Sequence, residues 1–387
     1  MTASSPTSNP TLLERRARRA DLADVHAAVL DGRRLTREQG LRLYACRDLA
    51  TVGSLANVVR ERISGDRTYW VRNQHVNYTN ICNKGCKFCA FQVKPKDPRG
   101  YVMSIDDVRE RIRAHLHQPI TEVHVVAGIN PKLPFEYYLD LVRTIKEVRP
   151  SVCVKAFTMI EIHQIARAGK MSVAEAVKEL KAAGLDAVPG GGAEVFSDDV
   201  HEELFKAKLD SNQWCDVARE VHAAGLRSNA TLLYGMGETI EQKVDHFLKL
   251  RELQDETGGI LTFIPLSFHP DNTGLDHLPP PTGRQNLHEI ALARLMLDNI
   301  DHVKAYWIMI SPEITQVALW HGADDVDGSV LREEIVHEAG ATTPQELQVR
   351  ELVERIEEAG RVPVERDALY RELSVGTVPE MATEASA

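Results

Sequence analysis

Hydrophobic positions along this chain recur with two different periods, and the change of period divides it. From Leu12 to about Gly65 apolar residues fall at helical spacing, as in LTREQGLRLYACRDLATVGSLANVVRERISGD. There Thr36, followed by Glu38 and Gln39, opens a helix and Gly65 closes the segment. Residues 11–66 are therefore expected to form a helical N-terminal cap. From Thr68 the pattern turns to short β-branched or aromatic runs alternating with amphipathic stretches. The expected strands are Tyr69–Tyr78, Glu122–Ala127, Cys153–Thr158, Asp186–Val188, Arg227–Tyr234, Ile260–Phe268, Val303–Ile310 and Val317–Trp320. Between them Val173, Ala176, Val177 and Leu180 share one helix face before Gly184, and Trp214, Val217, Ala218 and Val221 share another before Gly225. Both stretches end in AAGL, at 182–185 and 223–226, and pass straight into a strand.

Strand, helix, glycine stop and next strand, repeated in this way, predict parallel βα units. Eight of them predict an α/β fold, a (β/α)8 TIM-type barrel, full or partial, over residues 67–325. A doubly wound open sheet is the alternative, but its GxGxxG fingerprint after the first strand is missing. Residues 326–374, with LREEIVHEAG and TPQELQVRELVERIEEAG, are expected as C-terminal helices. Residues 1–10 and 375–387 are rich in Ser, Thr, Pro, Ala and Glu without apolar periodicity and are expected as disordered tails.

Composition narrows the function classes. The 387 residues carry 46 Lys and Arg against 56 Asp and Glu, a formal charge of −10. An acidic chain whose one basic cluster is Arg15-Arg16-Ala17-Arg18-Arg19, the pattern of a solvated helix face, is not expected to bind nucleic acid. No apolar stretch approaches the ~18 residues of a membrane span, and the first ten residues are polar, so no membrane partner and a cytoplasmic address are expected.

Six cysteines are too few for a disulfide scaffold, and three of them, Cys82, Cys86 and Cys89, crowd into one loop after the first expected strand. A structural zinc site takes four ligands, usually as two pairs, and neither Cys46, Cys153 nor Cys215 supplies the second pair. A ferredoxin-type cluster also needs four thiolates. Three thiolates spaced C-x3-C-x2-C fit instead a [4Fe–4S] cluster with one iron open to a ligand that is not a side chain. Cys46, Cys153 and Cys215 read as buried small apolar residues.

The segment NYTNICNKGCKFCAF, with Phe88 before the third cysteine, resembles the C-x3-C-x-aromatic-C motif of radical S-adenosylmethionine (SAM) enzymes. The resemblance implies that Cys82, Cys86 and Cys89 hold the cluster. It also implies that SAM chelates the open iron and that an electron from a donor such as flavodoxin or ferredoxin splits SAM to a 5′-deoxyadenosyl radical. It places SAM-binding backbone at Gly128, in Val126-Ala127-Gly128-Ile129-Asn130-Pro131, where a plain Gly-Asn-Pro turn is the alternative. It places more at Gly190-Gly191-Gly192, with Glu194 toward the ribose hydroxyls, against the alternative of a flexible loop with a solvated carboxylate. Tyr234-Gly235-Met236-Gly237-Glu238-Thr239 is similar to a segment that lines SAM, and could equally be a tight turn.

Over nearly its whole length the chain resembles a small radical SAM group of menaquinone and deazaflavin biosynthesis. The marks are AGINPKLPFEYYLDLVR, KAFTMIEI, VPGGGAEVFSDDV, ATLLYGMGET, FIPLSFHPDNT, ARLMLDN and KAYWIMI. The nearest resemblance implies SAM as a co-substrate and 3-[(1-carboxyvinyl)oxy]benzoate as the small-molecule acceptor. Sister members abstract hydrogen from tyrosine or a nucleoside instead. An acceptor with two carboxylates and an aromatic ring needs N–H or cationic partners. Candidates at expected strand ends are Arg72, His75, Asn77, His269 and Lys304, with Tyr306 and Trp307 as an aromatic wall.

Overall fold

A computed structural model describes residues 11–376. Its central element is a curled sheet of seven parallel strands, β2 (Asn73–Val76), β3 (Glu122–Val125), β4 (Cys153–Ala156), β5 (Ala187–Val188), β6 (Arg227–Tyr234), β7 (Ile260–Ser267) and β8 (His302–Val303), side by side in chain order. Helical chain between successive strands returns to the start of the next, as parallel pairing requires. Most of these helices begin at capping boxes, Phe135–Val148 after Pro134 being an exception. Thr158, Ser172, Asp210, Thr239 and Thr282 each accept from the backbone N–H three residues on, while Glu161, Glu175, Gln213, Gln242 and Gln285 reach back. Gly184 ends the helix Val173–Ala183 at φ 114°, in the left-handed region where a β-carbon is disfavoured.

The two edges of this sheet meet one later segment. Lys304, beyond β8, bridges to Asp325, and Gln74 of β2 bridges to Leu331. The backbone N–H of Ala305 donates to Asp325 O at 2.8 Å and that of His75 to Leu331 O at 2.9 Å. The partial barrel thus has residues 325–331 across its gap. Asp325–Gly328 is also β9 of a second sheet, which runs β11-β10-β1-β9 with β1 (Arg67–Val71), β10 (Val362–Arg366) and β11 (Glu372–Val375). The N-terminal helices Leu12–Arg19, Ala23–Leu30, Arg37–Ala45 and Leu49–Ser64 precede β1, and the last of them packs along the helix Gly283–Met296.

The structure departs from the sequence reading at both ends of the barrel. The expected strand Tyr69–Tyr78 is two strands in two sheets, divided at Arg72, whose guanidinium meets Glu365 of β10 at 2.9 Å. Val303–Ile310 is extended only at its start, because Trp307–Ile310 forms a helical turn with the Trp307 indole N–H donating to Gly328 O. Val317–Trp320 is not a strand. Ser311 and Pro312 are an N-cap and first-turn pair that start the helix Pro312–Ala318, and the extended segment comes later, at β9. In 326–374 only Ile335–Glu338 and Val349–Glu358 are α-helical; β10 and β11 are strands, and Val375, expected in a tail, pairs with Val364. Gly376, also expected in that tail, donates its N–H to Pro363 O at 2.9 Å, and the tail positions 1–10 and 377–387 lie outside the described residues. Among the described residues no helix is long and apolar enough to cross a membrane.

Asp324 fastens the cap, the barrel and the approach to β9 together. Its fully buried carboxylate accepts from Arg294 at 2.7 Å, Ser64 at 2.6 Å and the Val303 N–H at 2.9 Å, and lies 2.8 Å from His302 Nδ1. Burial alone would raise its pKa, but Arg294 and His302 hold it well below the usual carboxylate range. Asp324→Ala leaves Arg294 buried without its partner and is expected to cost about 3–5 kcal/mol. Urea denaturation at neutral pH should show the midpoint falling accordingly.

Candidate active site

The C-terminal ends of the strands and the segments behind them enclose a cavity of about 320 Å³. That is the end of a βα barrel at which loops converge. The cysteine loop forms one side. It leaves β2 through Tyr78 and Thr79, and is fixed by backbone bonds from Cys82 N to Val93 O (3.0 Å), Asn83 N to Ile129 O (3.1 Å) and Lys87 N to Leu204 O (3.0 Å). Gln92 clasps the loop, accepting from Gly85 N at 3.0 Å and donating to Cys86 O at 2.5 Å. Cys86 packs with Leu204, Phe205, Leu233, Met236, Phe268 and Leu275 in a small apolar cluster of its own. Cys82, Cys86 and Cys89 all border the cavity, whereas Cys46, Cys153 and Cys215 do not. Burial pushes the Cys86 thiol up to about 12 and raises Cys89 as well.

Gly128 lets the next loop lie against the cysteine loop: a β-carbon there would stand 2.5 Å from Ile81 O. Behind it, one buried carboxylate ties three strand ends together. Glu161 accepts from Tyr78 Oη at 2.9 Å, Ala127 N at 3.1 Å and Thr158 N at 2.7 Å, and burial raises it to about 7. Across the cavity Gly191, Gly192 and Glu194 line the wall. Gly190 does not. A β-carbon on it would lie 1.6 Å from Asn229 O, so this glycine serves the packing of β5's exit on β6. Glu194, at φ 50°, is held in the left-handed region and ion-paired to Lys208, which also stands 5.1 Å from the Phe88 ring centroid. Phe88 borders the cavity and meets Phe205 edge-on at 5.9 Å.

Of the acceptor candidates, His75, Asn77, His269, Lys304 and Tyr306 line the same cavity. His75 stacks on His124 at 4.7 Å, and burial, followed by the neighbouring His124, lowers it to about 3, so it is neutral. Asn77 donates to Val126 O at 2.8 Å, which leaves its Oδ1 free to accept. His269 Nε2 lies 3.0 Å from Met309 O, which assigns the proton to that nitrogen. Two other candidates are elsewhere: Arg72 is spent on Glu365, and Trp307 is wholly buried in the core. Tyr234–Thr239 is the tight turn, with Glu238 accepting from Gly235 N and Met236 N at 2.8 and 2.9 Å. Sequence reasoning missed Lys84, His124, Thr158, Lys208, Asn229, Thr231, Asp327 and Glu333, all of which border the cavity. For Asn229 and Thr231 a signal existed: polar residues two apart in a strand that is otherwise apolar beyond them.

Lys304 and Asp327, on the cavity wall, belong to a group of three carboxylates and three cations in contact. Glu122 meets Lys155 at 2.8 Å and Arg366 at 3.8 Å; Arg366 meets Asp325 at 2.5 Å; Lys304 meets Asp327 at 2.5 Å. Every charge there has an opposite partner.

A family profile described as the radical SAM superfamily matches residues 76–250, and one described as the CofH/MqnC C-terminal region matches 257–378. Aminodeoxyfutalosine synthase of Thermus thermophilus is 47% identical over 358 residues, covering 92% of this chain and 96% of that protein. The chain belongs to the radical SAM superfamily. A second relative of this radical SAM enzyme is the 5-amino-6-(D-ribitylamino)uracil–L-tyrosine 4-hydroxyphenyl transferase of Methanoculleus marisnigri, 36% identical over 90% of this chain and 97% of that protein. Among solved structures, methylornithine synthase (PylB) superposes with a TM-score of 0.71 at 17% identity, over 88% of this chain and 97% of that one, a likeness of fold.

Radical SAM enzymes use a [4Fe–4S] cluster and SAM. The donor set fits such a cluster. A single ion needs its ligands within about 2.3 Å of one point, and among the described residues no three His, Cys, Asp or Glu side chains are so gathered. Three thiols that border one cavity, with no fourth cysteine beside them, are the donors such a cluster would take.

The glycine run gives a test. Gly190→Ala is expected to destabilise the fold, since its methyl group would overlap Asn229 O, whereas at Gly191 the nearest atom is Thr158 Cγ2 at 3.1 Å. Gly191→Ala should fold normally and weaken SAM binding, measured by thermal unfolding and equilibrium dialysis on the same preparations.

Proposed function

We propose that this enzyme joins the 5′-deoxyadenosyl group of SAM to the enolpyruvyl double bond of 3-[(1-carboxyvinyl)oxy]benzoate. Rearrangement onto the aryl ring, loss of the carboxyl group as bicarbonate or carbon dioxide and return of one electron and one proton from the last radical then give 6-amino-6-deoxyfutalosine, with methionine released. The observation that carries the reading is the 47% identity to an aminodeoxyfutalosine synthase over 92% of the chain, together with one cavity bordered by three thiols and by aromatic and polar groups.

In this reading Cys82, Cys86 and Cys89 hold the cluster. Once reduced by a donor such as flavodoxin or ferredoxin, the bound cluster supplies the electron that splits the SAM sulfonium. Gly128, Gly191 and Gly192 present backbone to SAM where side chains would obstruct it, Phe88 flanks the cluster loop, and Glu194 takes the ribose hydroxyls while Lys208 neutralises it. Gly190 sets the path of that loop from behind. His75, Asn77 and His269 orient the acceptor through uncharged hydrogen bonds, and Tyr306 offers its ring a flat face.

Two outcomes are expected. Replacing Cys82, Cys86 or Cys89 with Ala should abolish bound iron and SAM cleavage, while the same change at Cys46, Cys153 or Cys215 should leave both nearly intact, by iron assay and methionine release. With 5′-deuterated SAM and the enolpyruvyl ether, mass spectrometry should find the label in an adenosyl–aryl conjugate. Recovery of the label almost wholly as free 5′-deoxyadenosine, with tyrosine or a nucleoside as the working substrate, would identify a hydrogen-abstracting sister reaction instead.

A further inference from the structure

Two polar side chains on β6 stand in the cavity with nothing to bond. Asn229 Oδ1 and Thr231 Oγ1 are buried and have no hydrogen-bond partner among the described residues, although the residues are only 1% and 4% exposed. A buried polar atom left unpaired costs about 1–3 kcal/mol, so a pair of them on one strand face calls for a ligand. His75 Nε2, which borders the same cavity from β2, is likewise unpaired. In the strand order β2 and β6 are separated by three intervening strands.

The wall around this pair is graded. Asn229, Thr231 and Leu233 lie two apart along β6 and border the cavity in turn. Their neighbours on β7 are Thr262, Ile264 and Leu266 respectively, and the last two also border it. Polar groups therefore occupy the deep end of β6, with Ile264 beside Thr231, and Leu233 and Leu266 continue an apolar strip beyond them. A ligand matching that grading has a flat or apolar body and a polar group at its inner end.

The cavity's charges say which polar group. Lys304 is paired with Asp327 and Lys208 with Glu194, while Lys84, on the cysteine loop, donates to Ala207 O. An anion entering at β6 is thus received by neutral donors, and both side chains can supply one: Thr231 its hydroxyl and Asn229, by rotating its amide, its NH2.

We propose that Asn229 and Thr231 bind the ring carboxylate of an arene-carboxylate acceptor, its ring lying on Leu233, Ile264 and Leu266; the assignment rests on the acceptor proposed above. They are specificity residues for the acceptor and take no part in holding SAM.

The test compares two acceptors, 3-[(1-carboxyvinyl)oxy]benzoate and the phenyl ether that lacks the ring carboxylate, on reconstituted enzyme. Thr231→Val keeps the shape and removes the hydroxyl. It should raise KM for the full acceptor roughly ten- to a hundredfold, with little change for the phenyl ether and none in SAM affinity by equilibrium dialysis. Thr231→Ser should restore the wild-type KM. Asn229→Asp, similar in shape but anionic, should lose the full acceptor more severely than Asn229→Ala does, and calorimetric binding of the acceptor should follow the same order. Equal losses on both acceptors, SAM affinity falling in step with KM, or an Asn229→Asp enzyme that matches wild type would each overturn the assignment. Wild-type enzyme that forms no adenosyl conjugate from the full acceptor would instead overturn the functional reading, and this assignment with it.

Discussion

Buried charge must be neutralised where it lies, and the architecture is arranged around that requirement. Glu122 and Lys155 come from the barrel, Asp325 and Asp327 from β9, Arg366 from β10 and Lys304 from the end of β8. Removing any one would leave an uncompensated charge in a medium that solvates it poorly, a penalty of several kcal/mol. The network therefore requires the second sheet to dock on the barrel. It also leaves Lys304 in the cavity wall already paired, so recognition beside it falls to neutral groups such as His75, Asn77 and the β6 pair.

The cysteine loop depends on a different kind of support. Cys82 packs on the main core and Cys86, Phe88 and Cys89 on a small cluster, while the loop's course is set by main-chain bonds to Val93, Ile129 and Leu204. Glu161 works one layer further out. By accepting from Tyr78, Ala127 and Thr158 it fixes the three strand ends from which the cysteine loop, the Gly128 loop and the Thr158 turn depart. A capping-box glutamate, ordinarily a local device of helix initiation, here connects the loops of the site.

How much of this the sequence disclosed follows from whether the signal was local. The repeated parallel units from Glu122 to Ser267 were legible because each strand, cap and glycine stop is written within its own segment. So was the three-thiol loop. What escaped were elements whose polar residues are satisfied only at long range. The segment VPVER looks too charged for an interior strand, yet Glu365 is paired with Arg72 and Arg366 with Asp325. Tyr69–Tyr78 reads as one strand because nothing at Arg72 itself announces the change of sheet. Of the site residues, those carried by glycine and cysteine patterns could be found in this way, while Lys208, Asp327 and Glu333 have no local pattern that distinguishes them from solvated charges.

The bridges that join residues 325–331 to both edges of the seven-stranded sheet bear on how the protein is made. A chain emerging from the ribosome up to Ala323 already contains every strand of the barrel sheet, the cysteines and the glycine run, but both of its edges present unpaired backbone groups. Parallel edges left open are templates for the wrong partner, and the contact that covers one of them joins residue 331 to residue 74, a separation that makes closure slow. During synthesis the site thus exists as an open trough before it becomes a chamber, and the last stretch of the polypeptide decides when it closes.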